Sequence, residues 1–584
     1  MIVIVECVHC RNVGIHIAWL SWSLVGLFFS NLAWFLIITQ KLLLSVYDKA
    51  RSAKIKNKDK QKLIYLLLTF SNITMTSLIQ TSIEAMGNPN KTKNEHSTSS
   101  SELSVDSTTE QKLTKTTTTK SIPILKSFQD WWSSSLELKR EHGAVNKDDP
   151  KFKEALLKNR QIEYDLFRAL LPDDVYIESP MAGETANEAG PISMQGKSLD
   201  VELSDGSFIH EFYLENTDPG PDQHIVIIHG YMAALGYFIK NIELMIRIPG
   251  IRIHLIDLPG FGNSARPKFP RQFLTTPPKK RQQIEQILEI ENWFIDKIEN
   301  WRLQRHINSF KLIAHSMGAY LSCCYLMKYN IQKDGSKIVS DLILVSPMGT
   351  ESNEHSLIND ERFNVNLHYA SNPLRELQFE DEDDQQVVIS PEFTKAWELV
   401  GKPKFPKSSV LQKLWENNKS PFDLLQKTGP FYSKLISYWS FARFRNLNTG
   451  GGDNNNNNNN DEALDLIYKL HSYSFSIFNQ YQASGELAIT KLINHEILPK
   501  LPLCDRGFVD FLVEHDISTL WLYGEKDWMN SKGGEYICKK IRENNDAKTQ
   551  FKVVKDAGHH IYLDNPQAFN TLVLDFFNLH TLIN

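Results

Sequence analysis

A chain of 584 residues is longer than one ordinary domain, and with 41% hydrophobic and 11% aromatic residues it has ample material for a buried core. Its formal charge of −5 argues against a general nucleic-acid binder, and its six scattered cysteines, two of them adjacent at Cys323–Cys324, imply no disulfide framework. Cys7-x-x-Cys10 lacks a second ligand pair, so neither a metal nor a cofactor is expected.

The first predicted element is apolar. Asn12 to Gln40 contains no Asp, Glu, Lys or Arg, and about twenty such residues cross a bilayer. The run is too long for a cleaved signal peptide, so a membrane anchor is expected, with a later translation start at Met75 or Met86 as the alternative. Lys49 to Lys62 follows with seven Lys/Arg against one Asp, and is expected to face cytosol or matrix. Leu63 to Ile83 is a second uncharged run diluted by Ser, Thr, Asn and Gln, so one or two spans are possible. Residues 1–86 are thus read as anchor and 87–130 as a linker, whose Ser/Thr/Lys-rich composition to residue 122 predicts a disordered tether.

The folded part is predicted to begin with helix-like Trp131 to Leu171. A hairpin follows, Leu199 to Phe212, turning at Asp205–Gly206. Ile225-Val-Ile-Ile reads as a buried strand ending in His229–Gly230, where the glycine lets the chain bend back and turn the Tyr231 amide toward a substrate carbonyl. His229 is expected to pack beneath that loop, with proton transfer as the rival role. A strand over Ile251–Ile256 leads into Asp257-Leu-Pro-Gly-Phe-Gly-Asn-Ser264, which lacks a third glycine and is read as a turn beside the site, not a nucleotide loop.

Ala314-His-Ser-Met-Gly318 sits between the apolar run from Phe310 and a helix-like stretch from Ala319. That order suits a nucleophile elbow, a sharp turn that lifts a serine oxygen above the sheet. Ala314 and Gly318 are small because strand and helix approach closely there. The amide of Met317 is the expected second oxyanion donor.

After a strand at Leu342 to Ser346, about 170 residues intervene before the strand Ile517 to Tyr523. Such an insertion reads as a mainly helical lid, 350–510, between core segments 131–349 and 511–584, and the asparagine-rich stretch Gly450 to Asp461 is expected to break it as a solvated loop. Within it, Phe431 to Arg445 is either ordinary lid core or a membrane-facing surface, with Lys434, Arg443 and Arg445 on lipid phosphates.

Asp527 follows the Ile517 strand, and His559 follows a last strand at Phe551 to Val554. With Ser316 they make a triad in the chain order serine, acid, histidine. Asp556 and Asp564 compete with Asp527 for the acid, and His560 with His559 for the base.

These residues resemble the α/β-hydrolase fold: a mostly parallel sheet with helices on both faces, a large lid and here an N-terminal membrane segment. More narrowly the chain resembles the subfamily of the abhydrolase-domain proteins four and five and the fungal cardiolipin-specific deacylases. The resemblance spans Trp131 to the C-terminus and rests on His229–Gly230, Asp257 to Pro267, the elbow, Leu342 to Gly349, Gly429–Pro430, Ser484-Gly485-Glu486 and Gly558–His559 through Asp564. The last contains the subfamily's His-x4-Asp pattern, associated there with acylation of lysophosphatidic acid. Read from the residues alone, Asp564 precedes Asn565–Pro566, a helix start, so capping or loop fixation is its expected job. One subfamily member has asparagine at the elbow and acts as a lipase coactivator, whereas this chain keeps Ser316.

The resemblance implies a membrane-associated serine acyl hydrolase that deacylates glycerophospholipids, with cardiolipin the sharpest version. Its rivals are a lysophosphatidic acid acyltransferase using the same serine and a non-catalytic lipid-surface scaffold. Its partners are then a phospholipid or lysophospholipid and a membrane, with no nucleic acid. The mitochondrion is the favoured location, and the endoplasmic reticulum or a lipid droplet the alternatives.

Overall fold

A computed structural model describes residues 121–133, 150–180, 193–358, 394–395, 397, 400–404, 408–444, 457–544 and 549–580. Both apolar N-terminal runs, the basic stretch between them, Cys7 and Cys10, and the tether up to residue 120 lie outside these residues. No described helix is long and apolar enough to cross a membrane. Leu125–Asn584 forms a compact unit of its own.

Among the described residues, nine strands make one sheet: β1 (Tyr176–Ile177), β2 (Met194–Glu202), β3 (Phe208–Asn216), β4 (Gln223–Ile228), β5 (Ile251–Ile256), β6 (Phe310–His315), β7 (Val339–Val345), β8 (Ser518–Gly524) and β9 (Thr549–Val554). Their order is β1-β2-β3-β5-β4-β6-β7-β8-β9. The expected hairpin is β2–β3, and β3 also runs antiparallel to β5, while β4 through β9 pair in parallel. The parallel strands read as unbroken apolar runs because helices cover both faces. Ile225–Ile228, Leu312–Ala314, Leu342–Val345 and Leu520–Leu522 are each at most 2% exposed. One flanking helix group contains Lys280–Gln304, Met317–Tyr329, Phe508–Glu514 and Ser531–Asn544. The other contains the short 3-10 turn Leu235–Asn241 with Ile561–Asp564 and Pro566–Phe576.

The insertion between β7 and β8 is helical where described: Ser409–Glu416, Pro421–Gln426, Tyr432–Arg443 and Asn457–Phe478, followed by shorter turns. The last of these long helices corrects the asparagine-rich loop. It begins at Asn457, so the final four asparagines and Asp461 belong to its opening turns. The amphipathic stretch behind them supplies the packing, and a helix held by tertiary contacts tolerates weak formers at its start. The lid returns to the core through Ser484-Gly485-Glu486. Glu486 pairs with Arg266 at 2.5 Å, both side chains within 2% of full burial, and Ser484 donates to the Pro267 carbonyl. A Cβ on Gly485 would stand 2.4 Å from the Pro259 oxygen, so two of the motifs behind the resemblance meet backbone to backbone.

Ahead of the sheet, the helix Ile124–Trp132 starts before the expected boundary at Trp131 and rests on the lid. Ser127 donates to the Pro430 carbonyl and accepts the Lys434 amide, both at 2.8 Å, and Ser433 donates to Asp130. The next helix, Pro150–Arg168, packs against Asn457–Phe478 and sends Glu163 to buried His210 of β3 at 2.8 Å.

Candidate active site

Ser316 occupies the turn between β6 and the helix Met317–Tyr329, with φ 53° and ψ −115°. A non-glycine residue held there costs about 1–3 kcal/mol, which the surrounding packing must hold in place. The packing is tight for the reason its small neighbours suggest. A Cβ on Gly318 would lie 2.2 Å from the His229 oxygen, one on Gly230 would lie 2.8 Å from the Ser316 Cβ, and Ala314 is fully buried.

Two distant segments converge on this serine. Its Oγ lies 3.0 Å from His559 Nε2, and His559 Nδ1 lies 3.1 Å from Asp527 Oδ1. The ring thus donates from Nδ1 to the carboxylate and accepts the serine proton at Nε2. Exposure is 7% at Ser316, 7% at His559 and 6% at Asp527, so little water reaches the run. Burial raises the Asp527 pKa, but the His559 ring, the hydrogen bonds from His559 and Ser346 and the Met529 amide outweigh it and hold the carboxyl below its usual range. The rival acids stand elsewhere: Asp556 pairs with Lys526 in the open, and Asp564 meets Arg443.

His559 is held from several sides. His315 Nε2 donates to the His559 carbonyl at 3.0 Å, and the Trp528 ring lies 4.5 Å from the imidazole. His560 packs against His315 and Tyr562, and burial drives its pKa well down. Asp564 accepts the Gly558 amide at 2.8 Å, fixing the loop, while the helix cap expected near it falls to Asn565, which accepts the Ala568 amide.

Met317 is the first residue of its helix, so its amide has no acceptor within that helix and stands at the positive end of the helix dipole beside Ser316. Tyr231 follows Gly230 and places its ring edge-on to Phe261. His229 is fully buried, donates from Nδ1 to the Gly230 carbonyl at 2.7 Å and accepts the Leu258 amide at 3.0 Å. Burial lowers its pKa, so it is a neutral strut between two loops. The loop it braces is a turn: Asp257 accepts the amides of Leu235 and Asn263, and no helix starts there.

Two features bear on the alternatives for Phe431 to Arg445 and favour lid core. Arg443 is turned inward to Asp564 at 3.1 Å with 14% of its side chain exposed, which removes it from the proposed lipid-facing set; a guanidinium at this depth needs a carboxylate, and Asp564 supplies one. Lys434 is half-buried over the Tyr438 ring, while Tyr432, Phe441 and Phe444 are lid core; Arg445 lies outside the described residues. Sequence reasoning also missed Ser346, which donates to Asp527 Oδ2, and the Trp528 contact. Adjacency of Trp528 to the acid was the one available signal.

A model of the alpha/beta hydrolase fold matches residues 223–566. The chain belongs to the alpha/beta hydrolase fold family. Within this family it is similar to a probable 1-acylglycerol-3-phosphate O-acyltransferase of Oryza sativa subsp. japonica, 24% identical over 63% of this chain and 69% of the relative. It is similar also to the 1-acylglycerol-3-phosphate O-acyltransferase ICT1 of Saccharomyces cerevisiae, 26% identical over 60% and 81%. A (lyso)-N-acylphosphatidylethanolamine lipase of Bos taurus is 26% identical over 60% and 77%. This hydrolase-fold chain therefore sits among relatives named for lipid acyl chemistry, as the motif resemblance implied.

Proposed function

We propose that this chain is a serine acyl hydrolase that removes a fatty acid from a glycerophospholipid at a membrane surface. The observation that carries the reading is the hydrogen-bonded run Ser316–His559–Asp527. His559 takes the hydroxyl proton at Nε2 as Ser316 Oγ attacks the ester carbonyl. The amides of Met317 and Tyr231 receive the developing oxyanion, at roughly 3–4 kcal/mol per donor. His559 then passes the proton to the departing lysolipid alcohol, leaving an acyl ester on Ser316. Water attacks that ester, giving its proton to His559, which passes it to the departing Ser316 Oγ as the fatty acid leaves. Asp527 keeps the ring in the tautomer these steps need and stabilises its charged form.

The lipid part of the reading is supported by the lid, the relatives' names and the apolar run Asn12 to Gln40. An anionic phospholipid such as cardiolipin is its sharpest form. A second reading, acyl transfer to lysophosphatidic acid, is favoured by the acyltransferase names of the plant and yeast relatives. It shares every step up to the acyl-enzyme, after which a lysolipid hydroxyl replaces water. A fluorophosphonate probe tests both: it should label the wild-type protein and leave Ser316→Ala unlabelled. Labelling that persists in Ser316→Ala removes the nucleophile, and an unlabelled wild type favours a scaffold.

A further inference from the structure

Arg443 ends the lid helix Tyr432–Arg443, yet its guanidinium is spent on the core. It meets the Asp564 carboxylate at 3.1 Å and donates to the His560 carbonyl at 3.3 Å. Asp564, 8% exposed at its side chain, in turn accepts the Gly558 amide at 2.8 Å. Gly558 and His560 are the two neighbours of His559. One arginine from the lid and one carboxylate from the core therefore hold the main chain on both sides of the imidazole that faces Ser316.

We infer that Arg443 and Asp564 form a latch through which the seating of the lid sets the alignment of His559, a proposal that rests on reading His559 as the general base. Both are positioning residues: neither touches the serine. With the lid seated, Arg443 neutralises Asp564 and holds the His560 carbonyl, Asp564 holds Gly558, and His559 Nε2 stands 3.0 Å from Ser316 Oγ. With the lid lifted, Asp564 loses its cation and the His560 carbonyl loses its side-chain donor, keeping only the amides of Leu563 and Asp564. The loop is then held from the core alone, through Asp564 on the Gly558 amide, His315 on the His559 carbonyl and the Lys526 amide on the Ala557 carbonyl. The triad is thus complete beneath a seated lid and loosened beneath a raised one, which confines acyl transfer to the moment when the site is covered. The His-x4-Asp spacing follows from this geometry, since one helical turn brings the carboxylate back under the loop that carries the histidine.

The test uses the full chain and a soluble fluorophosphonate, so that lipid binding to the lid does not enter. The inactivation rate constant kinact and the probe affinity KI are measured for wild type, Arg443→Gln, Asp564→Asn and the double variant. The latch predicts that Arg443→Gln lowers kinact by about 10–100-fold, the scale of a sub-ångström to 1 Å misplacement, with KI unchanged. It also predicts that the two losses combine to less than their product in the double variant, because the Arg443–Asp564 contact is shared between them. An unchanged kinact in Arg443→Gln, or losses that multiply in the double variant, overturns it. Should Arg443→Gln not fold, Arg443→Lys carries the test: it keeps the charge without the fork that spans Asp564 and the carbonyl, so kinact falls by a smaller factor, and an unchanged kinact contradicts the latch. A wild-type protein that fails to label overturns the acyl-enzyme reading itself, whereas normal wild-type labelling with an unaffected Arg443→Gln overturns the latch alone.

Discussion

Ser346 donates its hydroxyl to Asp527 across 181 residues of chain, Oγ to Oδ2 at 2.5 Å, while the other carboxylate oxygen receives His559. The end of β7 thus aims the acid that stands after β8. Ser346→Ala leaves one buried carboxylate oxygen without its donor. A bond to a charged group is worth about 1.5–3 kcal/mol, so acyl release should fall about 10–100-fold while the fold persists. Asp527→Asn, which favours the wrong imidazole tautomer, should lose up to about 10⁴-fold. Steady-state rates on a soluble ester check the ranking, and a Ser346→Ala loss larger than that of Asp527→Asn contradicts it.

The histidine pair separates in the same assay. His559→Ala should be as damaging as Ser316→Ala, and the two losses should not multiply in the double variant. His560→Ala should keep most of the rate per folded molecule, because its ring packs against His315 and Tyr562 and its main chain, not its ring, receives Arg443. Equal losses from both single variants, in proteins of equal thermal stability, contradict this division.

Much of the site was readable because it is local. The elbow, the strands β4 to β9 and the loops ending in His229, Asp527 and His559 are each written in a few consecutive residues, and the parallel sheet then forces their ends to one edge. Contacts that join distant segments were not readable. Nothing near Ser346 or Arg443 in the chain names Asp527 or Asp564 as partner, and a basic residue beside aromatics reads equally as lipid-facing or as a buried ion pair. The helix beginning at Asn457 was missed for a related reason: tertiary packing overrides the poor helix preference of asparagine.

A buried cluster predicts alkaline weakening. His210 lies between Glu163 and Asp200, 2.8 Å from each. Burial and Arg160 push its pKa down, but Glu163 and Asp200 prevail and raise it to about 9 from an ordinary 6.5. A raised histidine contributes stability that is fully present below the unfolded pKa and is lost as pH rises through the folded one. Thermal stability should therefore fall between about pH 6.5 and 9, by on the order of 3 kcal/mol from this group. Melting curves of wild type and His210→Gln across that range check it: the variant should be less stable at neutral pH and flatter with pH, and parallel curves contradict the assignment.

The proposed membrane anchor is tested by deletion. Without residues 1–86 the protein should come off membranes in carbonate, since Asn12 to Gln40 is the most apolar run of the sequence, while hydrolysis of detergent-dispersed lipid should survive because all proposed catalytic residues lie beyond Gln223. A truncated protein that resists carbonate places the anchor elsewhere.

Trapping the acyl-enzyme on Ser316 tests the proposed chemistry at its first covalent step. Full-length protein is mixed with acyl-labelled cardiolipin in mixed micelles, quenched in acid and mapped by peptide mass, with free fatty acid counted in parallel. An acyl ester is expected on the peptide containing Ser316, formed at least as fast as fatty acid is released, with both lost in Ser316→Ala. Fatty acid released at the wild-type rate by Ser316→Ala, or label mapped to another residue, would contradict it.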